Sequence, residues 1–459
     1  MAENNISKQF YGYLWAYILV ALSGCLGNVV DGIIVGNLIS EDGVSAINLS
    51  QPITQFIFTL HLLINAGAGM LVAYALGKNN ISEARRFFTH ALTLSTGLGL
   101  LLTVFGGLLF PMQTAHLLCD NEQIMPLAED YMQVLLIGNP AFIIMWGLST
   151  MVGVDGSPKL VSTAVIIDNA VNLLLDIVFI QIFDWGITGS SAATVVGHLV
   201  GIAILLSHWR KPENRRLRLQ FGGGGLMASW RRIVSQGAPL ALASICLTLL
   251  LFSANKIVLS TTGRTGIFVF ALCMNLLQVY NLFLSGTCQT LQSLGATQVG
   301  KGDAGGVKTV IDKGLRFITV AMVVTCALVW IYPQGIAKLF GCDEPDMLAQ
   351  SNHALRVFAL SFIPFCYIYV LMIIYKLYSH HRMALFISFA LSLTVIPVLW
   401  FMAKLFPDAI WYSYLIAYII EAAIIFFLHK RKYFAGCIFN FLVYVVCVMY
   451  FNVCFTLKL

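Results

Sequence analysis

Charge is scarce in this chain. Asp, Glu, Lys and Arg make up 10% of its 459 residues while 59% are hydrophobic, whereas soluble domains carry about a quarter charged residues. The scarcity excludes tandem soluble domains, a nucleic-acid binder and a disordered protein, each of which needs far more polar surface. Patterned cysteine is lacking too. The eleven Cys form no C-x-x-C pair and sit mostly inside apolar runs, so they read as small hydrophobes of a reduced chain and not as bridges or zinc ligands. There is no Walker lysine loop and no H-E-x-x-H, and the Gly222 to Gly225 run lies in an Arg-rich linker instead of a strand–helix turn. ATP is therefore not the direct energy source, no cofactor is expected, and no positioned hydrolytic motif supports an enzyme.

What the chain does have is long apolar runs. A helix needs about twenty apolar residues to cross roughly 30 Å of hydrocarbon, and twelve stretches qualify, near 10–38, 44–76, 88–110, 127–151, 160–183, 187–208, 233–260, 265–299, 315–338, 351–377, 383–404 and 410–429. The expected fold is all-α and polytopic. Pro52 and the Gly67-Ala68-Gly69 cluster predict a bend in the second span. Twenty of the 27 Lys and Arg fall on one side of these spans, including seven from Arg210 to Arg232, and only Arg264, Lys338 and Lys404 fall on the other. The positive-inside rule then puts both ends of the twelve-span unit, the N-terminus included, in the cytoplasm of a cell-membrane protein. The acidic loops around Glu41-Asp42, Asp120 to Asp130 and Asp343 to Asp346 face out. No cleavable signal peptide is expected, because the first run is too long and leads straight into the bundle. The tail Tyr433 to Leu457 is long enough for a thirteenth crossing, although Asn440, Asn452 and its aromatic, β-branched composition suit an interfacial segment equally.

The chain also repeats itself. Gly77-Lys78 recurs as Gly300-Lys301, Phe110-Pro111 with Cys119-Asp120 recurs as Tyr332-Pro333 with Cys342-Asp343, and Pro140 is matched by Pro364, all at offsets of 222 to 224. Two six-helix halves follow, 1–208 and 233–432, joined by a basic linker at 209–232. Six is even, so the repeat is parallel about an axis along the membrane normal, an architecture that places a central cleft between lobes.

Ionisable residues inside spans cost about 2.5 kcal/mol or more on insertion scales, so each is a functional candidate. Asp168, Asn172 and Asp176 are spaced i, i+4, i+8, which confines them to an arc of roughly 80° on one face of span five. Counted from the outer ends of their spans, Asp31, Asp176 and Thr194 share a depth. Two carboxylates, an amide and a hydroxyl can hold a proton, because close acids raise one another's pKa, or a small hard cation such as Na+; as the alternative, each acid is only interhelical glue. The second half differs in sign, with Asn255 in the place of Asp31, Lys256 beside it, and Arg356 near the outer level of span ten. Glu421, mid-span, needs either a substrate-lined cleft or a partner such as Arg356. Lys376 and Lys256 are expected to snorkel to water. His61 and His198 read as hydrogen-bonded core histidines more readily than as proton relays. Tyr131, Tyr367 and Tyr369 suit interfacial packing or a cavity for flat cations.

Several short segments together resemble the multidrug and toxic compound extrusion (MATE) family over about residues 8–430: Asp31-Gly32 to Val35-Gly36 with Gln51-Pro52, Gly77-Lys78 with Ala84-Arg85, Gly156-Ser157-Pro158-Lys159, and Trp185-Gly186-Ile187 with Ala192-Ala193-Thr194. The resemblance implies twelve helices in two lobes around a cleft and export of amphipathic organic cations in exchange for protons or sodium. It also implies a cation site at Asp31, Asn172, Asp176 and Thr194, as in the family's DinF-like branch. The acids that NorM-like members carry on spans seven and ten are absent, since Asn255, Lys256 and Arg356 stand there. A monomeric antiporter is the leading reading. A flippase for a lipid-linked precursor, with Lys256 and Arg356 as anion partners, is the alternative; a non-transporting scaffold or channel is third.

Overall fold

The computed structural model describes residues 2–39, 41–110, 125–210, 216–220, 225–339 and 345–429, without the side chains of Asp31 and some of its neighbours. The tail Tyr433 to Leu457, the Cys119-Asp120 and Cys342-Asp343 pairs and most of the outer acidic loops lie outside the described residues. Among the described residues every regular element is helical. The helices are α1 (Ala2–Leu38), α2 (Glu41–His61), α3 (Gly67–Gly77), α4 (Ile81–Leu102), α5 (Met125–Ile137), α6 (Asn139–Val154), α7 (Pro158–Ile177), α8 (Gly186–Leu206), α9 (Leu226–Thr290), α10 (Ala296–Lys301), α11 (Ala304–Ile331), α12 (Pro333–Leu339), α13 (Pro345–Leu377), α14 (His381–Leu393), α15 (Val395–Leu405) and α16 (Ser413–His429). Eleven stretches are long and apolar enough to cross a bilayer, and α5 with α6, bent by 50°, completes twelve. Their limits agree with the hydropathy reading to within a few residues at most ends; the apolar run at 315–338 belongs to α11 and α12 together.

The breaks have local causes. Pro140 opens α6 and cannot donate to the carbonyl of Leu136; the Thr103 hydroxyl donates to that carbonyl instead, at 2.9 Å, which satisfies a group that hydrocarbon would leave bare. Its repeat counterpart Pro364 lies inside the 33-residue α13 with no break. In the second span the irregularity is a π turn at Leu62–Ala66, one step before the glycine cluster. α9 is two spans, divided at Gly263, whose φ of 66° lies in the left-handed region.

Packing divides the chain into two units. The first comprises the described residues of 1–241, 285–314 and 376–381; the second comprises those of 242–284, 315–375 and 382–429. In the first unit α7 packs on α1 and α8, and α3 on α4 and α10, over a core of Ile64, Met70, Phe87, Met145, Leu148 and Leu377. The second unit has an aromatic core in which Tyr280 stacks on Phe362 at 4.2 Å and Phe358 meets Tyr414 at 4.9 Å.

The repeat extends to backbone conformation. Asn79 (φ 56°) and Gly302 (φ 73°) are left-handed, as are Gly156 (φ 102°) and Ser379 (φ 58°), both pairs at the offset of the Gly77 and Gly300 match. The residues that follow Asn79 and Gly302 are caps. Asn80 accepts from the Glu83 amide at 3.1 Å and Asp303 from the Gly306 amide at 2.9 Å. The matched glycines themselves meet: a Cβ on Gly77 would lie 2.2 Å from the Thr297 carbonyl oxygen, and one on Gly300 would lie 2.3 Å from that of Tyr74. Tyr74 and Thr297 stand at the same offset, so the contact is reciprocal. Only glycine permits this approach.

Candidate functional site

The polar residues of span five fall on the buried face of α7, as their spacing requires. Asp168, Asn172 and Asp176 are 4%, 8% and 0% exposed. Small residues on α8 let the two helices close, since a Cβ on Gly197 would lie 2.7 Å from a carboxylate oxygen of Asp168. The Asn172 amide donates to the Thr194 hydroxyl at 3.1 Å, and that hydroxyl donates to the Ser190 carbonyl at 3.1 Å. Asn172 and Thr194 are thus joined across α7 and α8, and Asp176 lies one turn beyond Asn172 on the buried face of α7.

The side chain of Asp31 lies outside the described residues, but its level on α1 follows from the backbone. Asn169 on α7 donates to the Ser23 hydroxyl on α1 at 2.9 Å. α1 and α7, the first and fifth spans, run the same way, and Asp31 and Asp176 lie eight and seven residues beyond that contact, so they climb roughly 12 Å and 10 Å at 1.5 Å per residue. Their backbones therefore lie a similar axial rise beyond that contact.

Asp168 has a different partner. His198 on α8 lies 2.9 and 3.0 Å from its two oxygens, with Phe142 edge-on to the imidazole at 4.3 Å. His61 is held by Asn65 at 3.2 Å, and Asn65 also accepts from Ser95 at 3.1 Å. Both histidines are hydrogen-bonded residues of the first unit. Of the tyrosines, Tyr131 is buried in an apolar cluster, Tyr367 is bonded to Thr319, and Tyr369 lies 6.1 Å from Phe365.

In the second unit Asn255, Lys256 and Arg356 are exposed. Glu421 is fully buried, and neither of its oxygens has a hydrogen-bond partner among the described residues, so of its two alternatives the pairing with Arg356 is not formed. A correction concerns Lys376, in the first unit: it does not snorkel but is fully buried, its ammonium donating to Gln292 at 3.4 Å. Packing by distant segments around the end of α13 closes the route to water.

One buried set escaped the sequence reading. Asp155, after α6, accepts from His208 at 3.0 Å and pairs with Arg216 at 3.1 Å, fastening the linker to the bundle. Its signal was an acid in the short turn between two apolar runs, four residues before Lys159. The described cysteines are free thiols, and no group of three His, Cys, Asp or Glu suited to a metal gathers among the described residues.

Comparisons with known proteins agree with this architecture. The MatE family model matches residues 17–178 and 239–401, one stretch in each half. The multidrug export protein MepA of Staphylococcus aureus (strain MSSA476) is 23% identical over 411 residues, covering 87% of this chain and 89% of its own. A protein of Shewanella oneidensis named FAD transporter is 25% identical over 365 residues, covering 75% and 77%. In fold, the chain resembles a MOP superfamily transporter from Pyrococcus furiosus (TM-score 0.83, 18% identity, covering 93% of this chain and 95% of that one). It is equally close to a MATE transporter solved in complex with MaL6 (TM-score 0.83, 18% identity, covering 93% and 96%). With both halves matched in sequence and the helical architecture matched in structure, this multi-pass membrane protein belongs to the MATE family of transporters.

Proposed function

We propose that the protein exports amphipathic organic cations across the cell membrane by alternating access of two six-helix lobes, 1–208 and 233–432, in exchange for protons or sodium bound in the first lobe. The observation that carries this is the buried set on α7 and α8: a fully buried carboxylate, Asp176, on the same helix face as an amide that is bonded to Thr194. Such a carboxylate is costly in a bilayer, and its retention is accounted for when it takes up and releases a cation. Asp31, at a similar axial rise on α1, is assigned as the second carboxylate. In this respect the chain follows the DinF-like pattern and not the NorM-like one. Binding of the cation drives the cycle only through its different affinity for the two facing states. The substrate class rests on the family and on the name of the Staphylococcus relative, and the N-terminus is placed in the cytoplasm by the Lys and Arg asymmetry. The flippase reading is not favoured, because the family match and the name of the Staphylococcus relative support export of small molecules.

The test is transport of a fluorescent organic cation by the purified protein in liposomes under an imposed proton gradient, then a sodium gradient. Movement driven by either one, and lost in Asp176→Asn, is the expected result. Normal gradient-driven export by that variant would refute the assignment of the site.

A further inference from the structure

Away from the proposed cation site, the first unit contains a cavity of about 420 Å³ lined by Lys78, Arg231, Arg232 and His381, with Tyr74 and Gln236 among its polar walls. These residues come from separate stretches of chain: Lys78 follows α3, the two arginines stand in the first turns of α9, and His381 opens α14. One acid, Glu83, lines the same cavity. It is engaged by Arg232 at 3.1 Å and by Arg86 at 3.9 Å. Lys78 and Arg231 have no ion pair among the described residues. Cations of one sign gathered around a pocket repel one another, and an oxyanion placed between them reverses the sign of that interaction. Guanidinium groups present paired N–H donors that match phosphate oxygens, and lysine adds a point charge.

We propose that this cavity is a binding site for a phosphate-bearing anion, which ties the ends of α3, α9 and α14 together. The Lys and Arg asymmetry puts it at the cytoplasmic face, where anionic lipid headgroups and soluble phosphate compounds share this chemistry. Gly300 also lines the cavity, so an occupant sits against the reciprocal Gly77 and Gly300 contact. An anion that requires that contact stabilises the arrangement containing it and lowers the population of any other. The inference depends neither on the exported compound nor on the coupling ion.

The experiment measures the unfolding midpoint of the full-length protein in mild detergent at constant ionic strength. The added probe is short-chain phosphatidylglycerol, short-chain phosphatidylcholine or inorganic phosphate. Phosphatidylglycerol should raise the midpoint by roughly 2–4 °C at saturation. The Lys78→Gln/Arg231→Gln double variant should lose the shift, and Arg231→Gln alone should lose part of it. Lys308→Gln/Arg316→Gln, which removes two exposed cations elsewhere, should retain it. An equal shift with inorganic phosphate would assign the site to the phosphate group alone, and a shift with phosphatidylglycerol only would assign it to a lipid headgroup. The proposal is overturned by no shift with either anion, by a shift undiminished in the double variant, or by an equal shift with phosphatidylcholine.

Discussion

The two halves of this transporter repeat in backbone and diverge in chemistry. In the first, buried polar groups come in bonded sets: Asp168 with His198, Asn172 with Thr194, Asn169 with Ser23. In the second, Asn255, Lys256 and Arg356 are exposed, while Glu421 is buried without a hydrogen bond among the described residues. Yet the left-handed residues, the helix caps and the touching glycines follow one offset through both. Loop and cap geometry is set by a few residues of special φ or capping ability, so it can persist while charges change. A repeat in backbone is therefore no warrant for two copies of a site.

The comparison can be broken most decisively at its two buried acids. Asp176→Asn should reduce gradient-driven efflux to the leak of protein-free liposomes, whereas Glu421→Gln should leave the gradient dependence intact; the opposite pattern, measured by flux, would move coupling to the second half. Next in size, Gly197→Ala should destabilise by about 1–3 kcal/mol, because the new methyl would collide with Asp168 and separate α7 from α8. Thermal unfolding in detergent checks it. Asp168→Ala should cost about 1–2 kcal/mol by removing the partner of His198, and a double-mutant cycle with His198→Phe isolates the coupling of the pair. The smallest effects belong to the exposed cations. Lys256→Gln and Arg356→Gln should each stay within about 0.5 kcal/mol of the parent and transport at the parent rate, and a marked loss of export in either would reopen an anion-binding role for the second half.

Much of this was legible in the residues. The membrane class, the helical architecture and the span limits follow from hydrophobic thickness and the cost of bare backbone in lipid, and these act on every stretch of about twenty residues regardless of its neighbours. The shared face of Asp168, Asn172 and Asp176 follows from helical periodicity in the same way. What the sequence could not assign was partnership. Lys376 sits near a helix end, where a long cation ordinarily reaches water, and it is buried because distant segments close over it. For Glu421 the residues left a cleft and a partner such as Arg356 equally open, and in the structure Arg356 is exposed while Glu421 is buried without a hydrogen bond among the described residues. Asp155 lay in a loop and turned out to anchor His208 and Arg216. Pro140 and Pro364 are equivalent in sequence, yet only the first coincides with a helix break, where the Thr103 hydroxyl, just after α4, donates to the freed carbonyl of Leu136. The sequence by itself determined that this chain is a membrane protein, roughly where it crosses and which acids share a helix face, because these depend on local composition and the geometry of one helix. The tertiary structure alone decided which polar group meets which, and that the two matched glycines touch, because such contacts join residues that lie tens to hundreds of positions apart.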